Sequence, residues 1–197
     1  MNILNKTYVV VTTVLLMAFT VQLSAQIRRT INEKTVVTST SKKSNVKNRI
    51  PSTRVTYRTP QKKVVSVRNV PNRIIINHRG QQYYYANNRY YTQSRGRYIV
   101  IAPKVGFRIR VLPSNYIRVN YNNFTYFNAQ GIFYRQLNNE YEVVDPEIGT
   151  LVYELPDNYE KVTLDGQTYY EYANVLYEKV QVDGTRAYEV VGIIEME

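Results

Sequence analysis

The chain repeats itself, and the repeat decides what it can become. Tyr98, Pro103, Gly106, Leu112-Pro113, Tyr116 and Val119 recur as Tyr141, Pro146, Gly149, Leu155-Pro156, Tyr159 and Val162, each 43 residues on. Tyr83, Asn88 and Tyr91 recur as Tyr126, Gly131 and Tyr134, and again as Tyr169, Asn174 and Tyr177. The spacing slips once, where Val180 to Ala187 lengthens a hairpin and sets Tyr188 four residues late. A period of this size marks a tandem array of one supersecondary unit. Val70-Pro71 to Ile76 reads as a shortened copy of Leu112-Pro113 to Val119. That frame gives three units, 64–101, 107–144 and 150–191, joined by Ala102–Gly106 and Asp145–Gly149.

Each unit carries five short strand signals. In the second they are Phe107–Leu112, Tyr116–Tyr121, Phe124–Phe127, Ile132–Gln136 and Glu140–Val144. Asn, Gly and Asp-Gly stand between them, residue types that accept a left-handed backbone and close hairpins. No helical periodicity follows residue 26. The expected fold is all-β: an antiparallel meander in three tandem five-stranded units of about 40 residues. A unit that small has too little core to stand alone, so neighbours are expected to share one.

The chain has 20 Tyr, and the repeat sorts many of them. Tyr83/Tyr126/Tyr169, Tyr84/Phe127/Tyr170, Tyr91/Tyr134/Tyr177 and Tyr98/Tyr141/Tyr188 are aromatic in every copy. Rings held in all copies are expected to pack, since Tyr buries a large area in few rotatable bonds. Four others do not repeat: Tyr85, Tyr121, Tyr153 and Tyr172. Their counterparts include Asn128, Glu171, Leu164, Arg110 and Ala129, so they are expected to be exposed. Such rings are candidates for stacking on a glycan.

Two segments precede the repeats. Residues 1–25 have the order of a secretory signal peptide: Lys6, an apolar run from Tyr8 to Val21 and the small residue Ala25. The run of about 14 residues is short of the ~20 that span a bilayer. The expected location is therefore outside the cytoplasm: periplasm, outer surface or secreted. Residues 26–63 are rich in Ser, Thr, Asn, Lys and Arg and are expected to form a disordered basic linker, with Val36-Val37 and Val55 to Tyr57 as transient strands. Truncation at Val64 is expected to leave the β fold intact.

The net charge of +11 hides a gradient. Arg28 to Arg79 holds 14 Lys and Arg against one acid; Glu140 to Glu197 holds three against 14 acids. Arg28, Arg29, Lys42, Lys43, Lys47, Arg49, Lys62 and Lys63 are candidates for binding an anionic surface. Export argues against nucleic acid as their partner. Envelope polymers, lipid head groups with peripheral membrane contact, or the chain's own acidic third unit, head-to-tail, fit instead.

Catalytic motifs are missing. There is no Cys and one His, so a zinc site would need carboxylates almost alone, and His78, just before the Arg79-Gly80 turn, is expected to be an exposed or half-buried strand residue. No phosphate-binding glycine loop or nucleophile elbow occurs. No catalytic, cofactor or metal residue is assigned. Paired carboxylates leave a glycan hydrolase as the least favoured reading. The leading expectation is a non-enzymatic, exported envelope protein that binds or scaffolds. A carbohydrate-binding module is the alternative.

The tyrosine hairpin Tyr83-Tyr84-Tyr85 to Tyr90-Tyr91 precedes Gly96-Arg97-Tyr98-Ile99-Val100, Pro103, Gly106 and Leu112-Pro113 to Tyr116. Over about Asn69 to Val191 this pattern resembles a family of exported bacterial proteins, domain of unknown function 6515. The single Pro103, where two prolines are usual, and Asn115, where Gly is usual, are departures. The resemblance implies an envelope location and carries over no functional residue.

Overall fold

The computed structural model describes residues 36–39 as backbone, and residues 49–59 and 64–195 in full. Three strands lie before Val64: β1 (Val36–Ser39), β2 (Arg49–Pro51) and β3 (Thr56–Tyr57). A single 3-10 turn, Ser52–Arg54, separates the last two. The first sheet then uses β4 (Ser66–Val67), β5 (Ile74–His78), β6 (Gln81–Ala86), β7 (Arg89–Ser94) and β8 (Arg97–Ile101). The second uses β9 (Arg108–Ile109), β10 (Ile117–Tyr121), β11 (Phe124–Ala129), β12 (Ile132–Leu137) and β13 (Glu140–Val143). The third uses β14 (Leu151–Val152), β15 (Glu160–Leu164), β16 (Gln167–Tyr172), β17 (Val175–Val182) and β18 (Thr185–Glu195). The described residues are all-β, with no α-helix among them.

Among β4–β18 every ladder is antiparallel, but the topology is not a plain five-strand meander. The first sheet runs β4-β8-β7-β6-β5. The second runs β1-β10-β11-β12-β13-β9 and the third β14-β18-β17-β16-β15-β3, with β2 beside β18. Four strands of each sheet form the meander. The short opening strand skips its successor and pairs with the last strand. Proline explains the skip: Pro71, Pro113 and Pro156 follow the opening strands and cannot donate to a hairpin ladder. The chain turns sharply there instead, with Tyr116 N–H on the Pro113 carbonyl at 3.3 Å and Tyr159 N–H on that of Pro156 at 3.0 Å.

The tight turns follow the residue chemistry. Asp165-Gly166 closes β15 to β16 with both residues at positive φ, 50° and 79°. Gln130-Gly131 does the same between β11 and β12. At Gly131 a Cβ would also fall 2.5 Å from the Tyr172 ring and 2.6 Å from Pro156. Glycine is therefore required twice, for the backbone and for the approach of the third sheet.

The second sheet is the middle layer. One face, with Phe127, Ala129, Ile132, Tyr134 and Val143, packs against Tyr90, Ile76 and Tyr83 of the first sheet. The other, with Val119, Tyr121, Tyr126 and Phe133, packs against Val175, Tyr177, Tyr188 and Val190 of the third. The rings are cement between layers as well as within them. Tyr134 Oη donates to Tyr90 Oη at 2.9 Å across two sheets. Phe107 meets Tyr83 and Tyr90 edge-on. Each fully buried ring stabilises the stack by roughly 1.5–3 kcal/mol of apolar burial.

Within the segment expected to be a basic linker, β1 and β3 fall where transient strands were expected, at Val36-Val37 and Val55 to Tyr57, and β2 was not expected. β1 pairs with β10 in parallel, β2 with β18 in parallel and β3 with β15 antiparallel. Ile50 and Val55 are buried against Val162, Leu176 and Ile194 on the outer face of the third sheet. Its polar average concealed short apolar pairs, and the open sheet supplied the ladder partners that offset their ordering cost. Truncation at Val64 would therefore uncover an apolar face rather than leave the fold untouched. The expected leader, residues 1–25, lies outside the described residues.

Candidate functional site

Of the four tyrosines expected to be exposed, one is buried and three are half-buried. Tyr121 is 3% exposed and belongs to the core between the second and third sheets. Tyr172 is half-buried and packs against both cores, and burial pushes its hydroxyl pKa up. Tyr153 is half-buried against the same core as Tyr121. Tyr85 is half-buried with its ring 4.8 Å from that of Tyr90.

These positions vary for a different reason from exposure. Tyr85, Asn128 and Glu171 each hold the turn that follows them. Tyr85 Oη donates to Asn88 Oδ1 at 3.1 Å. Asn128 Oδ1 accepts from Gly131 N–H at 3.1 Å. Glu171 Oε1 accepts from Asn174 N–H at 2.8 Å. Three unlike side chains do one job, so variation at the position signalled a polar turn clamp.

Of the basic candidates, Arg28, Arg29, Lys42, Lys43, Lys47, Lys62 and Lys63 lie outside the described residues. Arg49 is engaged within the chain, 3.0 Å from Asp145 and 3.7 Å from Glu195. Arg54 lies 2.5 Å from Asp165, and Arg58 donates to Thr163 and Thr168. These contacts set the basic segment on the acidic third sheet. Arg49 also lines a cleft of about 1020 Å³ between Ala102–Val105, the start of β12 and the end of β18. Its charge there is already met by two carboxylates.

The first sheet holds a set of cations and no acid. Residues 64–101 contain Arg68, Arg73, Arg79, Arg89, Arg95 and Arg97 and no acid. All six are exposed. Among the described residues none of them makes an ion pair. Their strongest anchors are neutral: Arg73 stands over the rings of Tyr84 and Tyr98 at 5.7 and 5.1 Å, and Arg97 Nε donates to Ser66 Oγ at 2.9 Å. None of the six guanidinium groups lies within ion-pair distance of a described carboxylate.

The third sheet has the opposite character, and one feature of it was missed at the level of the sequence. Glu160 stands directly opposite Glu171 across β15 and β16. Glu171 is 8% exposed, and Glu160 Oε2 is buried without a hydrogen-bond partner. Burial raises the Glu171 pKa above the ordinary carboxylate value and the charge of Glu160 adds to this, while Asn174 N–H opposes it. Burial, with both carboxylates contributing, pushes the neighbouring Tyr57 hydroxyl up to about 12. Glu178 and Glu189 face each other in the same way across β17 and β18, and burial raises Glu189 too. The signal was readable: after the hairpin register is set, Glu160 and Glu171 fall opposite each other by counting outward from Asp165-Gly166. His78, the one histidine, is half-buried with its ring 5.1 Å from that of Phe107. No cluster of three or more metal-ligating side chains occurs among the described residues, and no helix there is long and apolar enough to cross a membrane.

Stacked antiparallel sheets cemented by tyrosine, with one arginine-rich and one carboxylate-rich outer layer, define an all-β tyrosine-rich protein. The model of a family of unknown function, DUF6515, matches residues 59–194. The chain belongs to that family. No curated protein and no solved structure matches it.

Proposed function

We propose that this is an exported, non-enzymatic protein that binds or scaffolds at the cell envelope through its arginine-rich first sheet. The observation that carries the reading is the set of six exposed arginines in residues 64–101 with no carboxylate among them. The anionic partner carries phosphate, sulfate or carboxylate groups, on a polymer or on lipid heads. We also read the three sheets as tandem copies of one five-stranded unit. Equivalent backbone bonds support this: Val100, Val143 and Val190 N–H donate to the carbonyls of Val65, Phe107 and Thr150. Residues 1–25 serve as the export signal in this scheme.

The chain from Gln26 to Glu197 is titrated with sulfated dextran and, separately, with phosphatidylglycerol vesicles. Binding is expected to weaken at least tenfold between about 0.05 and 0.5 M salt, as screening shortens the Debye length. Changing Arg68, Arg89 and Arg95 together to Gln is expected to weaken it by a similar factor, while Arg49→Gln leaves it unchanged. Binding that ignores salt, or that falls equally in both variants, overturns the reading. Dextran without vesicles, or the reverse, identifies the source of the anion.

A further inference from the structure

The second strand of each sheet presents an outer edge, and two of the three edges are occupied. β1 pairs along β10, with Val37 beside Val119. β3 pairs along β15, with Thr56 opposite Thr163, and Arg58 N–H continues the ladder onto the Lys161 carbonyl at 3.0 Å. By the 43-residue period, Lys161 and Thr163 correspond to Arg118 and Asn120 in β10 and to Ile75 and Asn77 in β5. Among the described residues no strand pairs with the outer edge of β5.

The hairpin register says which groups that edge offers. β5 and β6 join through the two-residue turn Arg79-Gly80, with His78 opposite Gln81. Residues closing such a turn exchange both of their backbone bonds, and bonded and non-bonded pairs alternate outward. His78, Ile76 and Ile74 therefore spend their N–H and C=O on β6. Ile75 and Asn77 turn theirs outward, as Lys161 and Thr163 do where β3 uses them.

Proteins usually blunt a free edge with shortness, charge or proline. The opening strands β4, β9 and β14 are two residues each. β5 is five residues long, reads Ile-Ile-Ile-Asn-His and has no charge within it. Ile74 and Ile75 are 61% and 54% exposed, on opposite faces. This edge is long, apolar and unguarded. Its surroundings choose the occupant: Arg73 and Arg79 flank the strand, and its sheet holds six arginines without an acid. A second copy pairing β5 to β5 antiparallel would set Arg73 against Arg79 at both ends, which repels.

We propose that β5 is a strand-addition site for an extended acidic peptide segment of a partner protein, whose backbone pairs with Ile75 and Asn77 while its carboxylates meet the flanking arginines. Main-chain bonds give such addition its affinity, and alternate side chains give it specificity. The proposal rests on the reading that the first sheet attracts anions and names the partner's chemistry.

The test uses the labelled chain from Gln26 to Glu197 and two synthetic peptides, Glu-Val-Thr-Val-Glu-Val and its Lys-for-Glu counterpart, both blocked at their ends. The Ile75 and Asn77 amides are expected to exchange freely in the chain alone and at least tenfold more slowly with the acidic peptide. The lysine peptide is expected to leave them unprotected. Ile75→Pro removes one outward donor and no bond to β6, so the sheet is retained. It is expected to weaken the acidic peptide at least tenfold while sulfated dextran still binds. Asn77→Pro serves the same purpose if the first variant loses its strand signature in circular dichroism.

Amides already protected in the free chain would mean that a segment of the chain itself fills the edge. A dimer in light scattering that Ile75→Pro abolishes would mean a second copy fills it. Either result, or peptide binding indifferent to both proline variants, overturns the proposal. If the arginine variant loses dextran while the acidic peptide never binds, the strand site fails and the anion reading stands. If dextran ignores the change of Arg68, Arg89 and Arg95 to Gln, and the acidic peptide ignores the change of Arg73 and Arg79 to Gln, both fail.

Discussion

The first and third sheets share a strand order and most of their ring positions, yet they meet their surroundings in opposite ways. In the third, β2 and β3 cover the outer face and the edge of β15, and Arg49 and Arg54 answer carboxylates on or beside it. In the first, the outer face is closed by Val70 over Tyr84, Tyr91 and Tyr98, and among the described residues no strand pairs with the edge of β5 and none of the six arginines meets a carboxylate. The same strand order therefore occurs once with its edge covered and once with an edge that no described strand covers. The difference lies in where the chain before Val64 runs. Stack architectures need terminal caps because each layer exposes a face built to receive a neighbour. Here the third sheet receives a cap from the chain itself, whereas β5 at the other end has none among the described residues.

The largest test of this contrast replaces one ring position in both sheets. Tyr177 is 0% exposed between two layers; its counterpart Tyr91 is 6% exposed on an outer face. Tyr177→Ala is expected to cost about 3–5 kcal/mol, because neither layer can collapse into the space. Tyr91→Ala is expected to cost about 2 kcal/mol, since Val70 and Arg73 can close over it. Urea midpoints measure both. Equal losses would mean that the first sheet is covered as tightly as the third.

Of the ring positions that are aromatic throughout, Tyr91, Tyr134 and Tyr177 are buried in all three sheets, whereas the other three positions each include a half-buried ring, at Tyr83 and Tyr169, at Tyr170 and at Tyr141. The all-β class was legible from turn chemistry, which is local. Three things were not. The partner of each opening strand is a long-range choice, and strand signals do not encode it. The strands before Val64 pair with sheet edges far along the chain, so the sequence shows β1 and β3 only as transient strands and does not show β2. The variable position at Tyr85, Asn128 and Glu171 looked free because a turn can be clamped by a hydroxyl, an amide or a carboxylate alike.

A smaller effect separates the two sheets by pH. Tyr85 in the first sheet clamps its turn as a neutral group, whereas Glu171 does so as a carboxylate opposite Glu160. The folded state holds the Glu171 pKa above its unfolded value, so this group favours folding most when protonated. Its contribution is greatest below the ordinary carboxylate range and declines as pH rises through the raised value. Glu171→Gln keeps an oxygen for Asn174 N–H and removes the charge. Its urea midpoint is expected to exceed that of the natural chain at pH 7, and the gap is expected to close as pH falls to about 4. A lower midpoint at pH 7 would mean that the charged clamp outweighs the cost of burying it.

The smallest expected effect lies two residues further on. The first turn residue after the clamp is Asn87 in the first sheet, Gln130 in the second and Ala173 in the third, with φ of 50°, 52° and 52°. Asn tolerates this left-handed backbone because its short side chain bonds locally; Ala has only the steric cost of its Cβ. The third sheet, best covered of the two ends, thus keeps the poorer turn. Ala173→Gly removes the Cβ strain and is expected to stabilise by roughly 0.5–1 kcal/mol. Asn87→Ala is expected to destabilise the first sheet by a similar amount, about 1 kcal/mol at most. Both are read from urea midpoints on chains that retain the natural strand signature. If Ala173→Gly destabilises instead, the methyl group's packing against the core between the first two sheets outweighs the backbone strain, and the turn of the third sheet is fixed by its neighbours rather than by its own conformation.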